Sequence, residues 1–569
     1  MLRFVPTSVG AVALCVFAVL PFSARASPGG PIPPSPPGIH KVGCSNIAQD
    51  FTRVPPGKSA QDWWEGYPDG DTPRYLTDLL AEPANSLVVN LPLPRDFTLY
   101  GFFGGRTYAH VVLVCYPTTS GNDRPDYVLP GGQSVPHMQR DNEAPIFADH
   151  ALRYPVLLFS HGFGGSPISD DYIEAVKLFA SHGYVVVAPF HGDSRFTTVN
   201  VESFRDALYA LLYYKSYVAM QAVRPLALSA ALDLVLAHPH FRDRVDPTRI
   251  GGFGASQGGE SLLLMAGAAV TTSLPSETGK VTFDPRLKAG VGYIPYFGVQ
   301  GYPAFGTDQK GLSGVTLPYL ALSGTADTTA PITVTEQGVA RLTGTRQLVA
   351  LNGVRHEFDP RFSDDIFSWS LAFLAGQLSG DPVARAASAR MTSVAGGGDD
   401  VLRIDYLAPT PERADESVAI EYFNRILEHF FVTAEPAEAT MLDAGAIVPG
   451  WQRTGFAFKV RPAGDARGAS TCRFFGTPGV GPNSHFFTLD VAECAKVKGN
   501  PSWMYEGLAF NTEVPAGDDC AADRVPVTRL YNNGKGGQAN HRYTTSHSEM
   551  REMLADGWIL EGTVFCAIP

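Results

Sequence analysis

Cysteine is scarce in this chain, with seven among 569 residues, and no two stand in C-x-x-C spacing. That spacing is the usual sign of a zinc site, so no metal is expected. Long apolar runs are missing as well. The one near the start, Val9 to Phe22, is too short for a membrane span, and no other stretch is longer. No stable span of a membrane is expected. Basic charge is low: 44 Lys and Arg stand against 56 Asp and Glu, for a net charge of −12. With no basic stripe, nucleic acid is excluded as a partner. A small neutral substrate stays open.

What is present describes an exported globular protein. At 569 residues, 44% of them hydrophobic, the chain is too long for one core, so two or more domains are expected. Arg3, the apolar run and Ala24-Arg25-Ala26 before Ser27 read as a signal peptide with its cleavage site. Loss of Arg3 and Arg25 takes the net charge from −12 to −14 (−12 − 2). The mature protein is expected to be secreted or periplasmic. Cys15 leaves with the signal, and Cys44, Cys115, Cys472, Cys494, Cys520 and Cys566 remain. An even number outside the cytosol implies disulfides. Two lie early and four late, so each domain can pair its own.

Against this background one stretch stands out. Gly254-Ala255-Ser256-Gln257-Gly258 fits the G-x-S-x-G nucleophile elbow. Thr248 to Phe253 before it reads as a strand, and Ser261 to Ala266 after it as an apolar helix. A strand that turns at once into a helix pushes the turn side chain outward at the carboxyl edge of a sheet, where open α/β sheets bind ligands. Glycines flank the serine because a Cβ there would strike the neighbouring strand and helix.

The rest of the constellation follows in order. Val156 to Phe159 reads as a buried strand ending in the glycine-rich turn His161-Gly162-Phe163-Gly164-Gly165, whose backbone N–H groups can face a ligand, with a plain strand-to-helix loop as the other reading. Asp170 to His182 is predicted to be a helix, Val185 to Pro189 a strand, and Ser216 to Ala237 a long helix with a bend at Pro225. Gly192-Asp193-Ser194 resembles the nucleophile block of another hydrolase class. That class carries it near the first strand, so Ser194 is read as a loop residue. Tyr108 to Tyr116, Leu287 to Ile294, Leu317 to Ser323 and Gln347 to Leu351 are further strands. Strands alternating with helices predict a mainly parallel sheet. Asp327 lies just past one strand end and His356 just past the next. The chain order Ser256, Asp327, His356 is the order of an α/β-hydrolase triad.

The blocks FSHGFGGS, SHGYVVVAPFHGDS, GFGASQGGE and SGTADTTAP, together with the histidine block, resemble the α/β-hydrolase superfamily from about Tyr108 to Leu378. Within it the chain is similar to the branch of dienelactone hydrolases, platelet-activating-factor acetylhydrolases and cutinase-like polyesterases. The resemblance implies an α/β-hydrolase fold and no cofactor. It also implies that the Phe163 and Gln257 N–H groups form the oxyanion hole. Dienelactone hydrolases use a cysteine nucleophile; Ser256 places the esterase and lipase-like members nearer. Gln257 stands where histidine, methionine or phenylalanine is common. In the implied chemistry His356 deprotonates Ser256, Asp327 holds the histidine, and an acyl-enzyme is released by water. Tyr296 and Phe297, past the strand that follows the elbow, are candidates to line a substrate pocket, with ordinary packing as the other reading.

Beyond this region the pattern changes. Asp381 to Ser417 reads as a linker, with Gly396-Gly397-Gly398 and Pro409-Thr410-Pro411. From Glu421 onward three units repeat. His429, His485 and His541 are evenly spaced (485 − 429 = 56; 541 − 485 = 56), each followed by aromatics and a threonine. Trp451, Trp503 and Trp558 recur with them. This part resembles the three-repeat domains of unknown function at the carboxyl ends of exported bacterial hydrolases. It is expected to be a pseudo-threefold unit of short strands and helices. Its histidines could meet at an axis and bind metal, or hold structure by hydrogen bonds; the second reading is favoured. Its surface aromatics are candidates to bind a polysaccharide or other surface.

The expected division is therefore signal peptide (1–26), Pro-rich leader (27–43), α/β-hydrolase catalytic domain (44–380), linker (381–417) and three-repeat accessory domain (418–569). The expected activity is hydrolysis of a carboxylic ester, small or polymeric. The alternatives are a binding or adhesion protein with an inactive hydrolase domain, and a serine peptidase of the same fold.

Overall fold

The computed structural model describes residues 29–48, 87–129, 132–197, 214–273, 277–299, 302–409, 413–446 and 448–569. The signal peptide expected at 1–26 lies outside them. A ten-stranded sheet organises the first part of the chain. In chain order its strands are β1 (Lys41–Cys44), β2 (Val88–Pro92), β3 (Thr107–Thr118), β4 (Tyr154–Ser160), β5 (Val185–Pro189), β6 (Val245–Ala255), β7 (Ala289–Tyr293), β8 (Tyr319–Gly324), β9 (Arg346–Leu351) and β10 (Asp400–Tyr406). Their spatial order is β10-β9-β8-β7-β6-β4-β5-β3-β1, with β2 also paired to β3. From β5 across to β9 every neighbouring pair is parallel. The pairs outside that run are antiparallel.

The continuous apolar runs follow from burial on both faces. Val156 and Leu158 of β4 enter one core, and Leu157 and Phe159 enter the other. Side chains alternate along a strand, so a strand covered on both sides must be apolar throughout. The covering helices are α1 (Asp170–Ser181), α2 (Tyr214–Ala237), α3 (Gln257–Met265), α4 (Ile332–Arg341), α5 (Ser363–Leu378) and α6 (Pro382–Arg390). Val218 of α2, Leu263 of α3 and Val339 of α4 pack into the first core. Val176 of α1 and Trp369 of α5 pack into the second. The architecture is α/β in three layers. Helix α2 is long and apolar enough to cross a membrane, but most of its apolar window is buried inside the protein.

Residues 417–567 form three units with one element order. They are β11 (Ser417–Asn424), β12 (His429–Thr433), α7 (Pro436–Asp443) and β13 (Trp451–Pro462); β14 (Ala469–Gly476), β15 (His485–Thr488), α8 (Val491–Lys498) and β16 (Trp503–Thr512); and β17 (Val525–Tyr531), β18 (His541–Thr544), α9 (His547–Ala555) and β19 (Ile559–Ala567). In each unit the first strand lies between the other two and is antiparallel to both. Each junction between units carries an arginine on a carboxylate. Arg473 meets Glu438 at 2.8 Å, Arg529 meets Glu493 at 3.0 Å, and Arg542 meets Glu421 at 2.9 Å. So the second unit touches the first, the third touches the second, and the third also touches the first. His429 Nδ1 lies 2.7 Å from the Asn483 carbonyl, while His485 and His541 lie 3.4 and 3.5 Å from Glu506 and Glu561. Each repeated histidine thus has a partner of its own.

Three disulfides join Cys44 to Cys115, Cys472 to Cys494 and Cys520 to Cys566. None crosses between the early and the late cysteines. Such bonds persist in an oxidising, extracytosolic compartment.

Two stretches differ from their sequence reading. The expected linker 381–417 contains α6, a short strand Met391–Val394 and β10. Asp381 caps α6 by accepting the Val383 N–H at 2.9 Å, and Pro382 opens the helix. The glycines mark close packing rather than freedom: a Cβ on Gly398 would lie 2.0 Å from the Phe362 ring, and one on Gly397 2.1 Å from the Asp365 carboxylate. The described part of the leader, from Gly29 on, is likewise packed against the first part of the chain. Gly30–Ile32 pairs in parallel with Met391–Val394, and Ser35 N–H donates to Ser368 of α5 at 2.8 Å. The Ile32 carbonyl accepts the Ala395 N–H at 2.7 Å.

Candidate active site

The site forms where β6 turns into α3. Ser256 sits at that turn with φ 51° and ψ −118°, a conformation a residue with a Cβ adopts only under constraint. Its N–H donates to the Tyr293 carbonyl at 2.9 Å, and its own carbonyl accepts from Tyr296 N–H at 3.0 Å. The flanking glycines are required by space. A Cβ on Gly254 would lie 2.2 Å from the Gly258 backbone, and one on Gly258 would lie 1.8 Å from the Ser160 carbonyl. β6 is thereby pressed onto α3, and α3 onto β4.

Asp327 follows the end of β8, and His356 follows the end of β9. The structure brings both to the serine. His356 Nε2 lies 2.9 Å from Ser256 Oγ, and His356 Nδ1 lies 2.7 Å from Asp327 Oδ2. The other Asp327 oxygen accepts N–H groups from Thr329 and Ala330, each at 2.8 Å. The aspartate side chain is fully buried, whereas the imidazole is 23% exposed. A carboxylate fixed by two backbone donors can orient an imidazole and stabilise its protonated form.

The turn after β4 lies against the serine. A Cβ on Gly162 would be 3.6 Å from Ser256 Cβ and 2.5 Å from the Tyr172 hydroxyl. Phe163 is the exposed tip of this turn. Gln257 opens α3. Among the described residues neither the Phe163 nor the Gln257 backbone N–H has an acceptor. The Gln257 side chain is buried and donates to the Tyr217 hydroxyl at 2.5 Å. Tyr296 is half-buried, with its hydroxyl also on Tyr217. Phe297 is fully buried and packs its ring on Phe305 and Tyr319. A Cβ on Gly338 of α4 would strike that ring at 2.1 Å, so packing under α4 accounts for Phe297. Of the two candidate pocket residues, Tyr296 alone stands near the serine with exposed surface.

Sequence reasoning missed the polar layer beneath the site. Arg224 of α2 is almost fully buried and binds Asp193 through two nitrogens, at 3.0 and 2.5 Å. Gln221, one turn earlier, donates to Glu260 of α3 at 2.6 Å. Burial pushes the Glu260 carboxyl up to about 8, against a smaller opposing pull from Arg224. The available signal was a lone arginine inside an apolar helix, Val223-Arg224-Pro225. A charge there implies a buried partner.

Among the described residues no cluster of three or more His, Cys, Asp or Glu is placed to hold a metal.

Residues 138–224 match the family described as platelet-activating factor acetylhydrolase, isoform II. That span covers β4, the Phe163 turn, α1, β5 and α2 as far as Arg224, and ends before Ser256. Residues 419–568 match a domain of unknown function, DUF5648. No curated protein matches the chain. The protein therefore contains a hydrolase region of esterase or lipase type, which implies an ester substrate, followed by that domain.

Proposed function

We propose that the chain is an exported serine esterase with an α/β-hydrolase fold, using Ser256, His356 and Asp327. The carrying observation is the unbroken run of hydrogen bonds, 2.9 Å from serine to histidine and 2.7 Å from histidine to aspartate. His356 takes the serine proton as Oγ attacks the ester carbonyl and later gives it to the leaving alcohol. Asp327 keeps the histidine tautomer and balances the imidazolium. The N–H groups of Phe163 and Gln257 hold the oxyanion; both are without acceptors among the described residues, which leaves them available for it. Water then attacks the acyl-enzyme with His356 again as base. A lipase-like or polyester substrate suits the exposed Phe163 at the mouth of the site.

Domains are proposed as a catalytic unit that includes the leader and extends through β10, and a three-repeat accessory unit from about 418 to 569. The shared strand–strand–helix–strand order supports the second. The test of function is direct. A fluorophosphonate probe should label the full chain at Ser256, and labelling should vanish in Ser256→Ala. Hydrolysis of p-nitrophenyl butyrate should vanish with it. Labelling at another residue, or turnover retained in Ser256→Ala, would rule the mechanism out.

A further inference from the structure

The Phe163 turn is held from beneath by a buried ion pair. The Arg224 guanidinium donates to the His161 carbonyl at 2.7 Å and to the Gly162 carbonyl at 2.9 Å. The same guanidinium grips Asp193 with Nε and Nη2. Asp193 in turn accepts the Gly164 N–H at 3.0 Å. The turn is therefore gripped on both sides of Phe163, at a carbonyl before it and an amide after it.

A third group converges on the same carbonyl. His161 Nδ1 lies 2.8 Å from the Gly162 oxygen, and His161 Nε2 accepts the His191 N–H at 3.2 Å. With Nε2 accepting, the proton sits on Nδ1 and is donated to Gly162. Burial holds His161 neutral by pulling it down to about 3. The Gly162 carbonyl thus receives Arg224, His161 and the Gly165 N–H at 3.3 Å.

A trans peptide is planar, so its C=O and N–H point in opposite directions. The carbonyl of Gly162 faces the buried arginine; the N–H of Phe163 must face away from it. A glycine-rich turn would otherwise allow this peptide to rotate, since Gly162 is unhindered by a side chain and Gly164 has φ +73°. Stability alone does not explain a charge pair here, because buried ion pairs rarely outperform apolar packing of the same volume.

We propose that the Arg224–Asp193 pair is a positioning clamp that fixes the Gly162–Phe163 peptide and so aims the Phe163 N–H at the oxyanion. This rests on the serine-esterase reading above. Neither residue touches substrate; both act through the turn.

The test uses the full chain and the double variant Asp193→Leu with Arg224→Met, which removes both charges and keeps buried volume. Its thermal midpoint should fall, because the His161 carbonyl and the Gly164 N–H lose their partners, but the fold should survive because no unpaired charge is left behind. Its kcat on p-nitrophenyl butyrate should fall by about 10²–10³, the loss typical of one oxyanion donor. KM should stay within about threefold of the parent's, because the substrate carbonyl in the ground state uses the hole little. Inhibition by an alkylboronic acid, whose serine adduct bears an oxyanion, should weaken by the same factor as kcat. A folded variant with parental kcat overturns the clamp, as does a kcat loss without weaker boronate binding. Should the variant not fold, the boronate adduct of the parent decides: its oxygen lies within hydrogen-bond distance of Phe163 N–H, or the clamp has no object. A parent that neither hydrolyses the ester nor labels at Ser256 refutes the esterase reading instead, which separates the two failures.

Discussion

Ser256 combines a chemical role with a strained backbone, and the two can be separated by substitution. Ser256→Ala keeps a Cβ at φ 51°, so stability should barely change while kcat falls on the order of 10³–10⁶. Ser256→Gly should be equally inactive but more stable by about 1 kcal/mol, since glycine adopts positive φ without strain. A glycine variant less stable than the alanine variant would show that no strain is stored there. Glu260 offers a second residue-scale experiment. Its folded-state carboxyl is raised by burial from 4.5 to about 8, with Arg224 and the Gln221 hydrogen bond pulling weakly the other way. The folded protein therefore holds a proton that the unfolded chain gives up. Stability from this group is complete below pH 4.5 and is lost as pH rises to about 8. Glu260→Gln, neutral at every pH, should remove that loss, which is on the order of a few kcal/mol. Denaturant unfolding of both proteins at pH 5 and pH 9 checks it: equal pH dependence in parent and variant would contradict a buried, protonated Glu260.

At the scale of elements, β1 and β3 are stapled by Cys44–Cys115, which sit opposite each other in the antiparallel register. The bond closes 71 residues of chain, and its loss should cost about 2–5 kcal/mol. Three strands, β3, β5 and β4, separate β1 from β6 in the sheet. Cys44→Ala with Cys115→Ala should therefore lower the thermal midpoint yet leave kcat on a soluble ester unchanged; a matched loss of kcat would place β1 in the site. The strands around the serine were legible in the sequence because each carries a short apolar run, and β5 at Val185–Pro189 coincides with its reading. Asp327 and His356 were legible for the same reason, as polar residues just past such runs. Other elements lacked that contrast. β10 reads Asp400-Val-Leu-Arg-Ile-Asp-Tyr406, an alternating edge strand, and it follows three glycines that suggested a linker. Only the fold reveals that Gly397 and Gly398 are small because Asp365 and Phe362 lie against them. Arg224 and Asp193 were hidden by distance: 31 residues part them, and no local pattern links an arginine on a helix to an aspartate in a loop.

Across the whole molecule, the order of the 381–406 stretch changes how the two units relate. A tethered module would raise local concentration through a flexible link; here the link is built into the sheet and the second unit docks on it. Asp405 of β10 accepts the His547 N–H at 2.6 Å, the Ser548 N–H at 3.0 Å and the Ser546 hydroxyl at 2.6 Å. It caps α9 from the other unit, at the helix end where backbone donors lack partners. Arg390 of α6 reaches the Ala521 carbonyl at 2.5 Å, and Arg551 of α9 returns to the Leu402 carbonyl at 2.6 Å. Asp405 is almost fully buried, as are Ser546 and Ser548. Asp405→Ala removes every one of its acceptor bonds and leaves the His547 and Ser548 N–H groups without a partner, while the Ser546 hydroxyl keeps that of Ser548. The cost should be about 2–4 kcal/mol, from a lost cap and buried unsatisfied donors. Calorimetry should show it as a lower first transition, or as one transition split in two as the units uncouple. The serine site should not notice, because these contacts fall on β10, α6 and α9 and none reaches Ser256, Asp327 or His356. So kcat on p-nitrophenyl butyrate should match the parent at a temperature where both are folded. An unchanged melting profile would mean that the units are held by other contacts; a lost kcat would mean that docking of the second unit shapes the active site itself.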